Sequence, residues 1–206
     1  MASIQHRPLA RDDLARKPLT QFARWYEEAC ARDAFEPDAM ALATAAATGA
    51  PSVRMVLMKG FDDGGISFFT NYGSRKAVEL ETNPRAALLF HWPELGRQVR
   101  VEGSVGRVER AESVAYARSR SRSSQLSALA SPQSRPVPSR RWLEERVAAL
   151  DREYRRGELP VSEEWGGYRL QPAAWEFWQH RSSRLHDRFR YELTPAGAWT
   201  IERLGP

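Results

Sequence analysis

The connections between the apolar runs are too short to carry the chain across a parallel sheet. From Ala39 to Val108 the runs AMALATAAA, SVRMVLMKGF, ISFFTN, RAALLFHW and RQVRVEGSVGRV are punctuated by Thr48-Gly49-Ala50-Pro51, Asp62-Asp63-Gly64-Gly65 and Asn83-Pro84. Parallel neighbours need a crossover of about a dozen residues or more. Only SRKAVELETNP has that length, and it reads as a helix stopped at Asn83-Pro84. The half therefore reads as a meander of about five short antiparallel strands, spaced as in a small barrel.

The rest of the chain changes texture. Pro18 followed by Leu19, Phe22, Tyr26, Ala29 and Cys30 fits an amphipathic helix ending near Asp33. AESVAYARSR and SRRWLEERVAALDREYRR also read as helices, the second with apolar Trp142, Leu143, Val147, Leu150 and Tyr154. GELPVSEEWGG reads as a loop with Gly166-Gly167 as a turn, while YRLQP, AAWEFWQ, DRFRYEL and AWTIERL read as strands, the last two joined at Thr194-Pro195-Ala196-Gly197. The expected fold is mainly β within the α+β class, an antiparallel barrel with peripheral helices. It forms one domain over 18–206, preceded by a flexible segment over 1–17.

Several chemistries are excluded. The lone Cys30 allows no internal disulfide and reads as a core residue. His6, His91, His180 and His186 are too scattered for a metal site, and none is expected. GxGxxG, GxxxxGK[ST], HExxH and GxSxG are all missing. No apolar run suits a membrane span or a signal peptide, so a cytoplasmic protein without membrane contact is expected.

Charge is more specific. The formal net charge is +5. Between Ser113 and Leu143 there is no acidic residue, yet Arg118, Arg120, Arg122, Arg135, Arg140 and Arg141 occur there among closely spaced serines. That stretch reads either as a flexible solvated loop or as a binding site for an anion. Three other clusters point to anions. Arg54-Met55-Val56-Leu57-Met58-Lys59 is a strand with a cation at each end; alternation puts Arg54 and Lys59 on opposite faces unless the strand bends. Phe69-Thr70-Asn71 leads into Ser74-Arg75-Lys76, a strand end and helix start with Ser74 as N-cap and two cations for a phosphate. Glu176-Phe177-Trp178-Gln179 is followed by Arg184-Leu185-His186-Asp187-Arg188, an indole beside cations that suits a flat anionic ligand. Within the serine and arginine stretch, Tyr116, Arg120 and Ser124 with Gln133-Ser134 offer donors for a second phosphate.

RMVLMK, FFTN with GSRKA, RQVRVEG, SRSSQLSALASPQS and above all EFWQHRSSRLHDRF resemble the pyridoxine/pyridoxamine 5′-phosphate oxidases, flavoproteins with an FMN-binding split barrel. The likeness runs unbroken from Pro18 to Pro206. It implies FMN contacts from Arg54, Met55, Val56, Leu57, Met58, Lys59, Phe69, Thr70, Arg75, Lys76, Gln98, Gln133, Ser134, Trp178 and Arg188. It implies substrate phosphate on Lys59, Tyr116, Arg120 and Ser124, with Arg184 and His186 as catalytic residues at the pyridine ring. It also implies a homodimer whose FMN sites are shared between subunits, and oxidation of the phosphorylated vitamers at C4′ with O₂ as acceptor, giving pyridoxal 5′-phosphate and H₂O₂. The sequence departs from the family at Ser127-Ala128-Leu129, at His180-Arg181-Ser182-Ser183 and at Phe68-Phe69-Thr70. An N-terminal aromatic lid has no counterpart beyond Ile4. Three alternatives remain: a related oxidase acting on a phenazine precursor, an FMN carrier without turnover, and a basic nucleic-acid-binding barrel. The expected partners are a small-molecule substrate and O₂, with no nucleic acid.

Overall fold

A computed structural model describes residues 8–32 and 34–206. Its strands form one antiparallel sheet: β1 (Ala39–Ala45), β2 (Pro51–Leu57), β3 (Gly60–Asp62), β4 (Gly65–Asn71), β5 (Arg85–Trp92), β6 (Arg97–Arg107), β7 (Trp165–Gln179), β8 (Asp187–Leu193) and β9 (Trp199–Arg203). Outside it lie α1 (Pro18–Ala31), α2 (Arg75–Thr82), α3 (Arg110–Ser119), α4 (Arg122–Ala130) and α5 (Arg140–Glu153). The strand order is β2-β1-β5-β6-β7-β4-β3, and β8 with β9 branches from β7. This is the expected antiparallel barrel with peripheral helices, but the order is not a meander.

Strand β7 sets the topology. Its first half pairs with β4, from Trp165 opposite Asn71 to Leu170 opposite Ile66. Its second half pairs with β8, from Ala174 opposite Glu192 to Gln179 opposite Asp187, while β6 follows it from Tyr168 to Gln179. YRLQP and AAWEFWQ, expected as two strands, are thus one. The register shifts at Glu102/Gly103, opposite Pro172, which has no N–H to give the ladder. Gly103 permits the close approach, since a Cβ there would stand 1.9 Å from the Gln171 carbonyl oxygen. Gly166 and Gly167, expected in a turn, lie inside β7 for the same reason: their Cβ atoms would come within 2.2 Å of Tyr72 Oη and 2.8 Å of Phe69 Cε1.

Other expectations are corrected. SVRMVLMKGF breaks after Leu57, where Met58 donates its N–H to the Asp38 carbonyl and Lys59 to that of Ser67. The serine and arginine stretch is no plain loop, because Ser121 caps α4 inside it by accepting the Ser124 N–H. Cys30 is exposed rather than core, since α1 buries Phe22, Trp25 and Ala29 instead. Helix α1 ends at Ala31, and Asp33 lies outside the described residues. Residues 8–17, expected within a flexible leader, are packed down. Leu9, Leu14 and Ala15 are buried, and Leu9 is clamped between Asp187 Oδ2 (3.0 Å) and the Arg203 guanidinium (2.9 Å). The Tyr191 hydroxyl donates to the Ala15 carbonyl at 2.7 Å. Residues 1–7, with Ile4 and His6, lie outside the described part.

Alternation gives the sheet two different faces. Met40, Leu42, Leu88, Phe90, Val99, Val101, Trp175, Phe177, Phe189 and Tyr191 point inward. Phe22 of α1 fills the middle, with ring centroids 4.9 Å from Phe90, 5.1 Å from Phe61 and 5.4 Å from Trp175. The outer face carries Ala39, Ala41, Ala43 and Ala45 of β1 beside Val53, Met55 and Leu57 of β2, and Val53 and Met55 are 68% and 63% exposed. Truncating the central ring tests this arrangement. Phe22→Ala should lower the unfolding free energy by about 3–5 kcal/mol in urea titrations, the usual cost of emptying such a site; a loss under about 1 kcal/mol would show that α1 does not complete the core.

Candidate active site

A cleft of about 580 Å³ opens where β2, β4, α2, α3, α4 and the start of β7 meet. That volume suits a small-molecule ligand. Met55, Val56, Leu57 and Lys59 form one side, and Phe69 and Thr70 at the end of β4 form another. Because the strand breaks after Leu57, Lys59 is freed from the alternation that governs Arg54, and both the break and Lys59 face the cleft. Met58 turns into the core, and Arg54 and Ser134 are not among the lining side chains.

One end of the cleft is built for an anion. Lys76 is 7% exposed, yet its ammonium meets only neutral oxygens: Thr70 Oγ1 and Gln133 Oε1 at 3.1 Å and Ser74 Oγ at 3.5 Å. Burial, and then the nearby Arg54 charge, push its pKa down to about 8. Ser74 occupies the N-cap position but does not cap α2 with its side chain as expected; its hydroxyl faces Lys76 and Thr70. Arg75 in the same turn donates Nε to Glu79 Oε1 at 2.8 Å.

The other end is aromatic and cationic. Phe69 stacks on Tyr116 at 4.0 Å and on Trp165 at 5.6 Å, and Arg120 lies 5.1 Å over the Trp165 ring. Gly167 makes the stack possible by leaving space for Phe69. Ser124 of α4 joins Tyr116 and Arg120 in the lining. Trp165 escaped sequence reasoning because it sits at the end of an apparent loop; the paired glycines after it were the available signal of close packing. Ser127 and Ala128, where the sequence departs from the family, also line the cleft.

The remaining candidates gather elsewhere in the chain. Gln98 pairs with Trp178 and Trp178 with Arg188, so the three stand in one row across β6, β7 and β8. Arg188 donates Nε to buried Glu176 at 2.8 Å. Beyond the row, His186 packs 4.6 Å from Trp178 and 5.2 Å from His180. Burial, then His180 and Arg184, lower the His186 pKa, and its Nδ1 accepts the Arg181 N–H at 3.1 Å. Ser183 and Arg184 hold left-handed φ of 62° and 61°, and Arg184 is exposed. None of these side chains lines the cleft. The strand from Trp165 to Trp178 measures roughly 40 Å at about 3.3 Å per residue.

The basic stretch is largely neutralised locally. Arg118 pairs with Glu158, Arg122 with Asp151, Arg140 with Glu144 and Arg141 with Glu145. Arg120 meets no carboxylate within ion-pair distance among the described residues. In that set no three His, Cys, Asp or Glu are placed to hold a metal, and no helix is long and apolar enough to cross a membrane.

A curled antiparallel sheet with a cation-rich cleft on its flank defines the FMN-binding split-barrel flavoproteins. Residues 27–152 match the family described as pyridoxamine 5′-phosphate oxidase, and residues 165–206 match the C-terminal dimerisation region of pyridoxine 5′-phosphate oxidase. The pyridoxine/pyridoxamine 5′-phosphate oxidase of Cupriavidus necator is 54% identical over 201 residues, covering 96% of this chain and 93% of that protein. Its counterpart from Rubrobacter xylanophilus is 52% identical over 198 residues, covering 96% and 91%. Among solved structures, PhzG of Burkholderia lata in complex with tetrahydrophenazine-1-carboxylic acid has a TM-score of 0.90 at 34% identity, with 97% of this chain and 98% of that one covered. A Nostoc punctiforme FMN-binding protein shares the fold, with a TM-score of 0.74 at 16% identity over 94% of this chain and all of that one. The chain belongs to the pyridoxine/pyridoxamine 5′-phosphate oxidase family, whose members are FMN-dependent oxidoreductases.

Lys76 gives a direct test of the anion end. A folded pKa of about 8, below the ordinary 10.5, means that the unfolded chain holds the proton more tightly. The resulting cost is full below about pH 8 and fades as pH rises towards 10.5. Lys76→Met should therefore raise the Tm of the flavin-free protein at pH 7 and remove most of the Tm gain on adding FMN. A gain from FMN equal to that of the parent would take Lys76 out of the site.

Proposed function

We propose that this chain is a cytoplasmic enzyme that oxidises pyridoxamine and pyridoxine 5′-phosphates to pyridoxal 5′-phosphate with FMN and O₂, releasing H₂O₂, in sites that each draw on two subunits. The observation that carries the reading is the pairing, in one cleft, of two cationic groups without carboxylate partners: buried Lys76, and Arg120 with Tyr116 and Ser124. A desolvated ammonium and a half-buried guanidinium without carboxylates call for two anions, and a flavin mononucleotide with a phosphorylated substrate supplies them.

The donor set fits FMN. Lys76, Arg75 and Arg54, with Gln133 and Ser134, serve its phosphate, and Met55, Val56, Leu57, Met58, Lys59, Phe69 and Thr70 serve the rest. Lys59, Tyr116, Arg120 and Ser124 take the substrate phosphate. Gln98, Trp178 and Arg188 complete the flavin site from the partner subunit, with Arg184 and His186 reaching the pyridine ring. Two features support sharing. The Gln98–Trp178–Arg188 row is absent from its own chain's cleft, while Met55 and Leu57 both line that cleft and stand on the exposed apolar face. An isologous dimer across that face joins each cleft edge to the other chain's row.

FMN held by these residues would supply the redox chemistry, oxidation at C4′ with O₂ as the final acceptor. The protein supplies placement, which contributes several kcal/mol on an order-of-magnitude scale. The Phe69, Tyr116 and Trp165 stack gives a rigid wall beside the phosphate donors. With Nδ1 occupied by the Arg181 N–H, neutral His186 carries its proton on Nε2 and can donate it to a ring oxygen. Arg184, held outward by its left-handed backbone, clamps the substrate.

Oxygen uptake with both vitamers tests the reaction; purified protein that binds FMN but gives no peroxide with either would end this reading in favour of a phenazine oxidase or a carrier. Subunit mixing tests the sharing. Arg120→Ala and Arg184→Ala should each be nearly inactive with FMN still bound, and an equal exchange mixture should recover roughly a quarter of parental turnover, because each mixed dimer regains one intact site. No recovery after demonstrated exchange would place both residues in a site made by one chain.

A further inference from the structure

Glu79 follows Lys76 by one helical turn, and none of the roles above uses it. Its buried carboxylate accepts from side chains on three elements: Thr44 Oγ1 of β1 at 2.5 Å, Ser52 Oγ and Arg54 Nη2 of β2 at 2.6 and 3.4 Å, and Arg75 Nε of α2 at 2.8 Å. Arg54 is further fixed by donating to Thr44 Oγ1 at 2.6 Å, to the Leu42 carbonyl at 3.1 Å and to the Ser52 hydroxyl. Two long guanidinium side chains are thereby tied to one anchor beside the Lys76 ammonium. That anchor stays ionised: burial alone would raise its pKa, but the bonds from Ser52, Thr44 and Arg75 hold it down at about 2.

The geometry points to Glu79 as a positioning residue for the flavin phosphate: it holds Arg54 and Arg75 as a fixed pair at the edge of the Lys76 pocket. The inference rests on the FMN placement proposed above. Arg54, Arg75 and Lys76 with Glu79 sum to two positive charges, the complement of a phosphate dianion. Two opposite expectations follow for removal of the carboxylate. If Glu79 acts only as a counter-charge, its loss tightens phosphate binding. If it orients the arginines, its loss weakens binding, because each must then be immobilised as the ligand arrives.

The test titrates the flavin-free dimer with FMN and with riboflavin, which lacks the phosphate, by quenching of flavin fluorescence. For Glu79→Gln the FMN Kd should rise about tenfold or more while the riboflavin Kd stays within about twofold of the parent. Equal weakening for both flavins would show that Glu79 merely supports the fold, and tighter FMN binding would show a simple counter-charge; either overturns the inference. If the Gln variant does not fold, Ser52→Ala, which removes only the bridging hydroxyl, decides in its place: an FMN-selective loss supports the role and an unchanged FMN-to-riboflavin ratio overturns it. A parent protein that binds FMN no more tightly than riboflavin would instead refute the phosphate placement itself, and this inference with it.

Discussion

Strand β7 couples the core to the cleft and keeps two sets of candidate site residues apart. It cannot fold back on itself, because β6 pairs with it from Tyr168 to Gln179 and β4 and β8 take successive parts of its other edge. Trp165 is therefore fixed at the cleft and Trp178 at the far end of the strand. Gly103 opposite Pro172 lets β6 and β7 stay paired through the bulge, and Gly167 leaves the space in which Phe69 stacks on Tyr116. A chain with this strand cannot surround one flavin with all its candidate side chains. On the reading proposed above a second copy supplies the others, across the exposed apolar face of β1 and β2.

Electrostatics then separates structural cations from binding cations. Most arginines here have a carboxylate: Arg169 with Asp62 and Glu112, Arg110 with Glu163, Arg188 with Glu176. The more exposed of these pairs are worth little to stability, but all of them offset charge that would otherwise attract polyanions without selectivity. Other arginines without a carboxylate, among them Arg85, Arg135, Arg152 and Arg155, are exposed to water, whereas two cations stand in the cleft. Lys76 is desolvated among neutral oxygens, and Arg120 rests on an indole. Recessed in a cleft, these two cations suit a compact anion rather than the backbone track of a nucleic acid.

Local signals made the strands of the fold legible. Turn dipeptides located the hairpins, and the apolar runs AMALATAAA, RAALLFHW and DRFRYEL located β1, β5 and β8. Three features were not readable because they depend on contacts far along the chain. Pro172 looks like a strand breaker until Gly103 is known to oppose it. Cys30 sits at a position in the helical period that looks apolar, yet the face that packs is set by Phe22 and Trp25. The leader is polar, and its docking depends on Asp187 and Arg203 from the other end of the sequence. For the candidate site, residue types pointed to Lys76, Tyr116 and Arg120, which the fold does bring into the cleft, whereas Trp165 and Glu79 stand out only through neighbours that the fold assembles. Arg54 shows the limit most clearly: its motif marks it as a ligand contact, and the structure directs its guanidinium first to Glu79.

The choice between a phosphorylated vitamer and a planar tricyclic acid turns on the shape of the anion. A carboxylate offers two oxygens in one plane, so a single bidentate guanidinium satisfies it. A phosphate offers three terminal oxygens in a tetrahedral arrangement and needs donors from several directions. Tyr116 and Arg120 come from the end of α3, Ser124 from the first turn of α4, and Lys59 from the break after β2, so four donors reach the cleft from three separate elements. Lys59 is partly compensated by Asp38 at 3.1 Å, which leaves Arg120 as the main charge and the two hydroxyls as orienting groups. Donors divergent in origin and convergent in the cleft match a tetrahedral anion. The similarity to PhzG thus speaks to the scaffold they stand on, and the donors themselves speak for the phosphate.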